Sequence, residues 1–78
     1  MMKLKTSYKP LKIQLVLKDM KMVDLRNNVD VSSSTLAKIN KGEPVSLLAI
    51  LKICEYLNCG LHEVVEFVED SDETETKL

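Results

Sequence analysis

The sequence predicts an all-α protein that folds as a compact five-helix bundle, and two observations carry this prediction. The chain of 78 residues is the length of one domain, which can build a single small core. Hydrophobic residues make up 45% of it, but Tyr8, Tyr56 and Phe67 are the only aromatic ones. An apolar content that is mostly aliphatic favours helices packed on helices over a β-sandwich.

The first two helices are expected over residues 9–20 and 21–29. Pro10 lies near the first turn of the first helix, where its missing N–H does no harm, and a helical repeat of apolar residues follows it. Asp24 places a carboxylate in the positive first turn of the second helix. Asp30 follows that helix, and we expect it to adopt the left-handed conformation of a sharp turn, which aspartate tolerates.

The third and fourth helices have clear start and stop signals. Ser32 is a favoured N-cap for a short helix over residues 33–41, and Gly42 is a favoured stop. Ser46 caps the longest helix, residues 47–58, whose apolar residues follow the 3.6-residue period. We expect this longest helix to form the centre of the core.

A fifth helix is expected over residues 62–68, and the chain then loses its apolar residues. The apolar positions at helical spacing are Leu61, Val64, Val65 and Val68. Residues 69–78 form a polar acidic tail that cannot bury enough surface to become ordered. The predicted organisation is an N-terminal arm (1–9), a folded domain (10–68) and a disordered acidic tail (69–78).

Charge is distributed unevenly along the chain. The net charge is −1, but residues 1–41 carry nine Lys and Arg against three Asp, whereas residues 42–78 carry two Lys against nine acidic residues. This asymmetry indicates an anionic partner for the first part of the chain. No apolar run approaches the roughly 20 residues that span a bilayer, and no signal peptide is recognisable, so we expect a cytoplasmic protein with no membrane contact.

Two short helices joined by a tight turn, the second beginning with small polar residues, are typical of a helix-turn-helix. Residues 24–46, followed by Leu51-Lys52-Ile53-Cys54 and Leu57, resemble the Cro/C1-type (XRE-like) family of bacterial and phage regulators. The most specific part is Ser33-Ser34-Thr35-Leu36-Ala37-Lys38 with Lys41-Gly42, and the likeness covers residues 10–68. It implies a lambda-repressor-like five-helix fold in which the second and third helices read duplex DNA.

The resemblance also implies which residues contact DNA. Base contacts are expected from Ser32, Ser33, Ser34, Thr35 and Lys38. Phosphate contacts are expected, from position rather than from the resemblance, at residues that flank the reading helix: Lys21, Met22 (through its backbone N–H), Asn40 and Lys41. The sequence departs from the family pattern at Lys21, where Thr or Ser is usual, and at Asp30, where Gly is usual.

Simpler interpretations stay open for several of these features. A serine run before an apolar helix is often only a cap, and a lysine excess is often only a solvated face. A metal site could be imagined from Cys54, Cys59 and His62 with Glu63 beside them. Structural zinc needs four ligands at tighter spacing, and Cys54 lies on the apolar stripe of its helix, so no metal is expected. With one histidine and no phosphate-binding loop, a serine or cysteine nucleophile would lack the other groups that catalysis needs. We therefore expect neither an enzyme nor a cofactor or small-molecule ligand.

A homodimer is expected because one reading helix covers only half of a two-fold operator. Ile13 and Leu17 lie off the main apolar face of the first helix and are candidates for its interface. The alternating residues of the arm are further candidates, unless the arm folds over its own core: Met2, Leu4, Thr6 and Tyr8. The function expected is that of a sequence-specific DNA-binding transcriptional regulator, a repressor, that reads the major groove with the helix at residues 33–41. The alternative function is a protein-interaction module of the same fold, such as an antitoxin-like or accessory partner.

Overall fold

The computed structural model describes residues 3–70, and in that range it combines four α-helices with a small antiparallel sheet. In chain order the elements are β1 (Leu4–Ser7), α1 (Lys9–Leu17), α2 (Met22–Asn28), α3 (Ser33–Lys41), α4 (Leu47–Leu57), a 3-10 turn (Leu61–Glu63) and β2 (Glu66–Glu69). The first four predicted helices are confirmed. A disordered acidic tail was predicted for residues 69–78, but Glu69 is the last residue of β2 and the Asp70 N–H donates to the Lys3 carbonyl oxygen, because pairing with β1 orders this end. The remaining tail residues, 71–78, lie outside the described part of the chain.

The prediction of an all-α, five-helix bundle is wrong at its last element. Residues 62–68 do not form a helix, because the chain makes a 3-10 turn at Leu61–Glu63 and then pairs β2 with β1. Leu4 lies opposite Glu69 and Ser7 lies opposite Glu66. The segment is short and rich in β-branched valine, which favours strand over helix once a partner strand is available.

The turns between helices depend on left-handed residues at positions other than the expected one. Asp19 has φ 56° and ends the first helix at Leu17 rather than at the expected residue 20, and Asn58 has φ 56° after α4. Asp30 is not among the residues with positive φ in the described part of the chain, so the left-handed conformation expected there is wrong.

The turn between α2 and α3 is built differently. The Val31 N–H donates to the carbonyl oxygen of Val29 at 2.8 Å, which closes a three-residue turn around Asp30. The ammonium group of Lys52 donates to the Asp30 carbonyl oxygen at 3.1 Å and lies 3.3 Å from its carboxylate. Contacts from α4 thus hold the turn, and no left-handed residue is needed there.

A single aliphatic core holds all the elements together. The side chains buried most completely are Leu11, Leu25, Ile39, Ile53, Leu57 and Val64. Each α-helix contributes at least one of them, and Val64 comes from the segment that leads into β2. Because α2 and α3 are anchored by Leu25 and Ile39 in the same cluster, their relative position is fixed by shared packing.

The N-terminal arm folds over this core. The Thr6 hydroxyl donates to the carbonyl oxygen of Gly42 at 2.6 Å, and the Tyr8 hydroxyl donates to that of Glu43 at 2.8 Å. The Tyr8 side chain is only 3% exposed and belongs to the core. These two bonds attach the arm to the connection between α3 and α4, as the alternative interpretation of the arm expected.

Replacing Tyr8 with phenylalanine tests this attachment. Tyr8→Phe should lower the free energy of unfolding by about 0.5–1.5 kcal/mol, because the Glu43 carbonyl loses its donor while the ring still packs. Urea denaturation followed by circular dichroism would measure the change. An unchanged denaturation midpoint would show that the hydrogen bond contributes nothing.

The stability advantage of the wild type over this variant should also depend on pH. Burial raises the pKa of the Tyr8 phenol, so folding favours its neutral form. The advantage should therefore be constant below the ordinary tyrosine pKa of about 10 and decrease as the pH rises beyond it. A difference that stays constant through this range would contradict the burial of the phenol.

Candidate nucleic-acid interface

Helix α3 has a well-defined beginning and end. The Ser32 hydroxyl accepts the backbone N–H of Thr35 at 3.1 Å, which caps the first turn. At the other end Gly42 adopts φ 78°, and the Glu43 N–H donates to the Lys38 carbonyl oxygen at 2.8 Å. This left-handed glycine closes the helix, since a side chain at that φ would be strained.

One face of α3 packs on the core and the opposite face carries polar side chains into solvent. Leu36 and Ile39 are buried. The exposed residues of the helix are Ser33, Ser34, Ala37, Lys38, Asn40 and Lys41. The structure therefore brings Ser33, Ser34 and Lys38, three of the predicted base-contacting residues, to one uncovered surface.

Ser32 and Thr35, also predicted to contact bases, have local hydrogen-bonding roles. The Ser32 hydroxyl lies 2.9 Å from the Thr35 hydroxyl and 3.0 Å from that of Ser34. Thr35 is partly buried, whereas Ser32 is exposed. The capping network thus occupies the hydroxyl of Ser32 and orients its neighbours at the beginning of the helix.

The residues predicted to contact phosphates lie at the beginning of α2 and the end of α3. Lys21 is the exposed N-cap of α2, and its N–H donates to the Asp24 carboxylate at 2.8 Å. This bond is one half of a capping box. The other half is missing, because a lysine ammonium cannot accept a first-turn N–H of α2 as a Thr or Ser hydroxyl would. Met22 is the first residue of α2, so its backbone N–H is one of the donors that a helix leaves unpaired at its start.

A groove between α2 and α3 contains Arg26, an exposed cation that the sequence analysis did not assign to the DNA-binding surface. Its lining residues are Met22, Val23, Arg26, Ser33, Leu36, Ala37 and Asn40. Arg26 follows Met22 by four positions, so both lie on the same side of α2. This spacing alone does not show that the side of α2 carrying Arg26 faces α3. Only the packing of α2 against α3 places this cation beside the predicted reading surface.

The cysteines are free thiols at the end of α4. Cys54 and Cys59 are partly buried, and burial raises the pKa of both thiols, which keeps them neutral near pH 7. His62 lies exposed in the 3-10 turn. Among residues 3–70, no three His, Cys, Asp or Glu side chains come together as a possible metal site.

Helices α2 and α3, joined by a tight turn and packed through one core, form a helix-turn-helix. Residues 10–70 match the sequence model of the Cro/C1-type HTH DNA-binding domain. The chain therefore belongs to the family of Cro/C1-type HTH DNA-binding domains, as the resemblance indicated. Within the described range, no helix is both long and apolar enough to cross a membrane.

A solved structure supports the same assignment. The chain is similar to the crystal structure (form II) of the transcriptional regulator VanUg, with 45% sequence identity and a TM-score of 0.83. The match covers 86% of this chain and 89% of VanUg. No curated protein matches the chain significantly. Neither the family description nor that of VanUg names an enzymatic activity.

Alanine substitutions of Ser32 and Ser33 test whether the Ser32 hydroxyl caps α3. Ser32→Ala should lower the free energy of unfolding by about 0.5–2 kcal/mol because the Thr35 N–H loses its acceptor. Ser33→Ala, a matched control one residue further on, should change stability by less than about 0.5 kcal/mol because it replaces an exposed side chain. Equal effects in thermal or urea unfolding would contradict the capping role of Ser32.

Proposed function

We propose that this protein is a sequence-specific, DNA-binding transcriptional regulator that reads the major groove with α3. The observation that carries the proposal is the uncovered polar face of α3, on which Ser33, Ser34 and Lys38 are all exposed. A reading helix must be free of its own chain to enter a groove. The likeness to the transcriptional regulator VanUg supports the regulatory part of the proposal.

The side chains on α3 suit the chemistry of base edges. Short hydroxyls at the beginning of a helix can donate to or accept from any base, and a lysine one turn further on can donate to guanine O6 and N7. We assign base contacts to Ser33, Ser34 and Lys38, with Ser32 and Thr35 beside them at the start of the helix. Arg26, across the groove from Ser33, joins this set as an additional cation.

Phosphate contacts would fix the register of α3 on the duplex. We assign them to Lys21 and the backbone N–H of Met22 on one side, and to Asn40 and Lys41 on the other. Lys21, Asn40 and Lys41 are exposed, so a phosphate can approach each of them. Such contacts make affinity fall with increasing salt.

We further propose that regulation is repression. A protein seated in the major groove next to a promoter excludes other proteins from the same DNA by occupying it, and this requires no additional surface. A reporter gene controlled by the DNA upstream of this protein's own gene should therefore be expressed less in the presence of the wild-type protein than in the presence of a variant that cannot bind DNA. The opposite change would identify an activator.

The alternative function is a protein-interaction module of the same fold, such as an antitoxin-like or accessory partner. The observation that favours it is exposed apolar surface on elements other than α3. Exposed apolar side chains occur on α1 and again across α4 and the 3-10 turn: Ile13, Val16, Leu17, Leu47, Leu48, Leu51 and Leu61. Surfaces of this kind often mark contacts with another protein.

A homodimer would account for part of this apolar surface and would serve the DNA-binding function. Ile13 is 52% exposed and Leu17 is 72% exposed, with Val16 between them at 77%. These three residues form an apolar surface on α1 that the fold leaves uncovered. We propose that it contributes to a two-fold dimer, whose two copies of α3 would read two half-sites.

The DNA-binding proposal is tested with a variant that removes the reading side chains. Ser33→Ala/Ser34→Ala/Lys38→Ala should lose its preference for duplex DNA from the protein's own upstream region over random DNA. Losing the Lys38 contact alone should reduce discrimination by about 1–3 kcal/mol, or about five-fold to 150-fold. Fluorescence anisotropy at two salt concentrations would measure this, with folding checked by circular dichroism.

The matched control is Lys3→Ala/Lys18→Ala, which removes exposed lysines that lie outside α2 and α3. It should keep the sequence preference of the wild type. Folded wild type that shows no preference for the upstream region would argue against autonomous regulation of that region. A screen of random duplexes would then show whether another operator exists or whether the interaction module is the better function.

The dimer is tested by placing charge on the apolar surface of α1. Ile13→Glu/Leu17→Glu should convert a dimeric wild type into a monomer, because like charges would face each other across a two-fold interface. Light scattering after size-exclusion chromatography would measure the mass. Leu47→Glu/Leu51→Glu on α4 is the control, and a monomer from this variant alone would place the interface on α4 instead.

A further inference from the structure

Four lysines surround one cleft next to the C-terminal end of α3. The open cleft has a volume of about 370 Å³ and lies between β1, the first turn of α1 and the last turn of α3. Its lining residues are Lys5, Thr6, Ser7, Tyr8, Lys9, Lys12, Ile39, Asn40, Lys41, Gly42 and Val68. No carboxylate belongs to this lining, so the cleft has a positive charge that its own walls do not neutralise.

The walls of the cleft are held in place by the hydrogen bonds of the N-terminal arm. Thr6 donates to Gly42 and Tyr8 donates to Glu43, so β1 is attached to the connection that follows α3. Ile39, which is 1% exposed, and Tyr8 anchor the cleft in the core. The lysines therefore project from a preformed support, and a ligand would not have to order the backbone.

Carboxylates in the neighbourhood reduce the charge of only part of the cleft. The Lys5 ammonium lies 3.9 Å from the Asp70 carboxylate. Lys9 also borders a second depression that contains Glu63 and Glu66. Within residues 3–70, neither Lys12 nor Lys41 forms an ion pair, and both side chains are exposed. The strongest positive potential should therefore lie between α1 and the end of α3.

The cleft is continuous with the predicted reading surface. Asn40 lines both the cleft and the groove between α2 and α3 that contains Ser33 and Arg26. Lys41, already assigned to a phosphate, forms part of the cleft wall. A DNA backbone that passes the C-terminal end of α3 would thus meet Lys9 and Lys12 next.

We infer that this cleft is a second phosphate-binding surface, in which Lys9 and Lys12 of α1 extend the contacts of Lys41 along the DNA backbone. The inference rests on the proposed DNA-binding function. It adds α1, which lies outside the helix-turn-helix, to the surface that contacts DNA. The ligand chemistry is the phosphodiester backbone of duplex DNA, recognised without regard to sequence.

The test is the salt dependence of binding by Lys9→Gln/Lys12→Gln. Each phosphate contact contributes about 0.9 to the slope of log affinity against log salt concentration. The variant should therefore have a slope shallower than that of wild type by about 1.8, on a random-sequence duplex and on upstream DNA alike. Preference between the two duplexes should stay unchanged, because phosphate contacts carry no sequence information.

Lys3→Gln/Lys18→Gln is the matched control, since it removes the same charge from exposed positions outside the cleft lining. It should keep the wild-type slope. A cleft variant that is folded by circular dichroism and has the wild-type slope would overturn the inference, and so would equal slopes for the two variants. Wild type that binds neither duplex would overturn the DNA-binding function itself, so the two failures are distinguishable.

Discussion

The shared aliphatic core is the constraint on which the rest of this structure depends. Leu25 of α2 and Ile39 of α3 are both almost completely buried in it, together with Ile53 and Leu57 of α4. A short helix such as α3 has little stability of its own, so its position relative to α2 must come from this packing. The polar face of α3 then lies on the outside because the opposite face is committed to the core.

Local contacts at the ends of α2 and α3, and at the turn between them, add to the core packing that fixes these two helices. Ser32 caps the beginning of α3, Gly42 ends it, and the Asp24 carboxylate accepts the Lys21 N–H at the beginning of α2. Lys52 on α4 contacts the turn between α2 and α3. The two helices of the helix-turn-helix are therefore fixed at their ends and at the turn between them, which is the pre-organisation that the proposed DNA-binding function would require.

The sequence predicted α1 to α4 because their caps and apolar repeats are local signals that a short window contains. It did not predict the sheet, because β1 and β2 come from opposite ends of the described chain and neither is apolar enough to identify its partner. The spacing of Leu61, Val64 and Val65 fits a helix equally well until that pairing is known. For the candidate site, the exposed residues of α3 were predictable from its apolar period. Arg26 and the lysines of α1 were not, because they join the surface only through tertiary packing.

Pairing of β1 with β2 also brings the two ends of the described chain together. The Asp70 N–H donates to the carbonyl oxygen of Lys3 at 2.9 Å, so the chain enters and leaves the domain at a single point. A domain with adjacent ends is suited to insertion into a loop of another protein or to circular permutation. It could thus be transferred as a cassette, with α3 and its polar face carried unchanged into a new polypeptide.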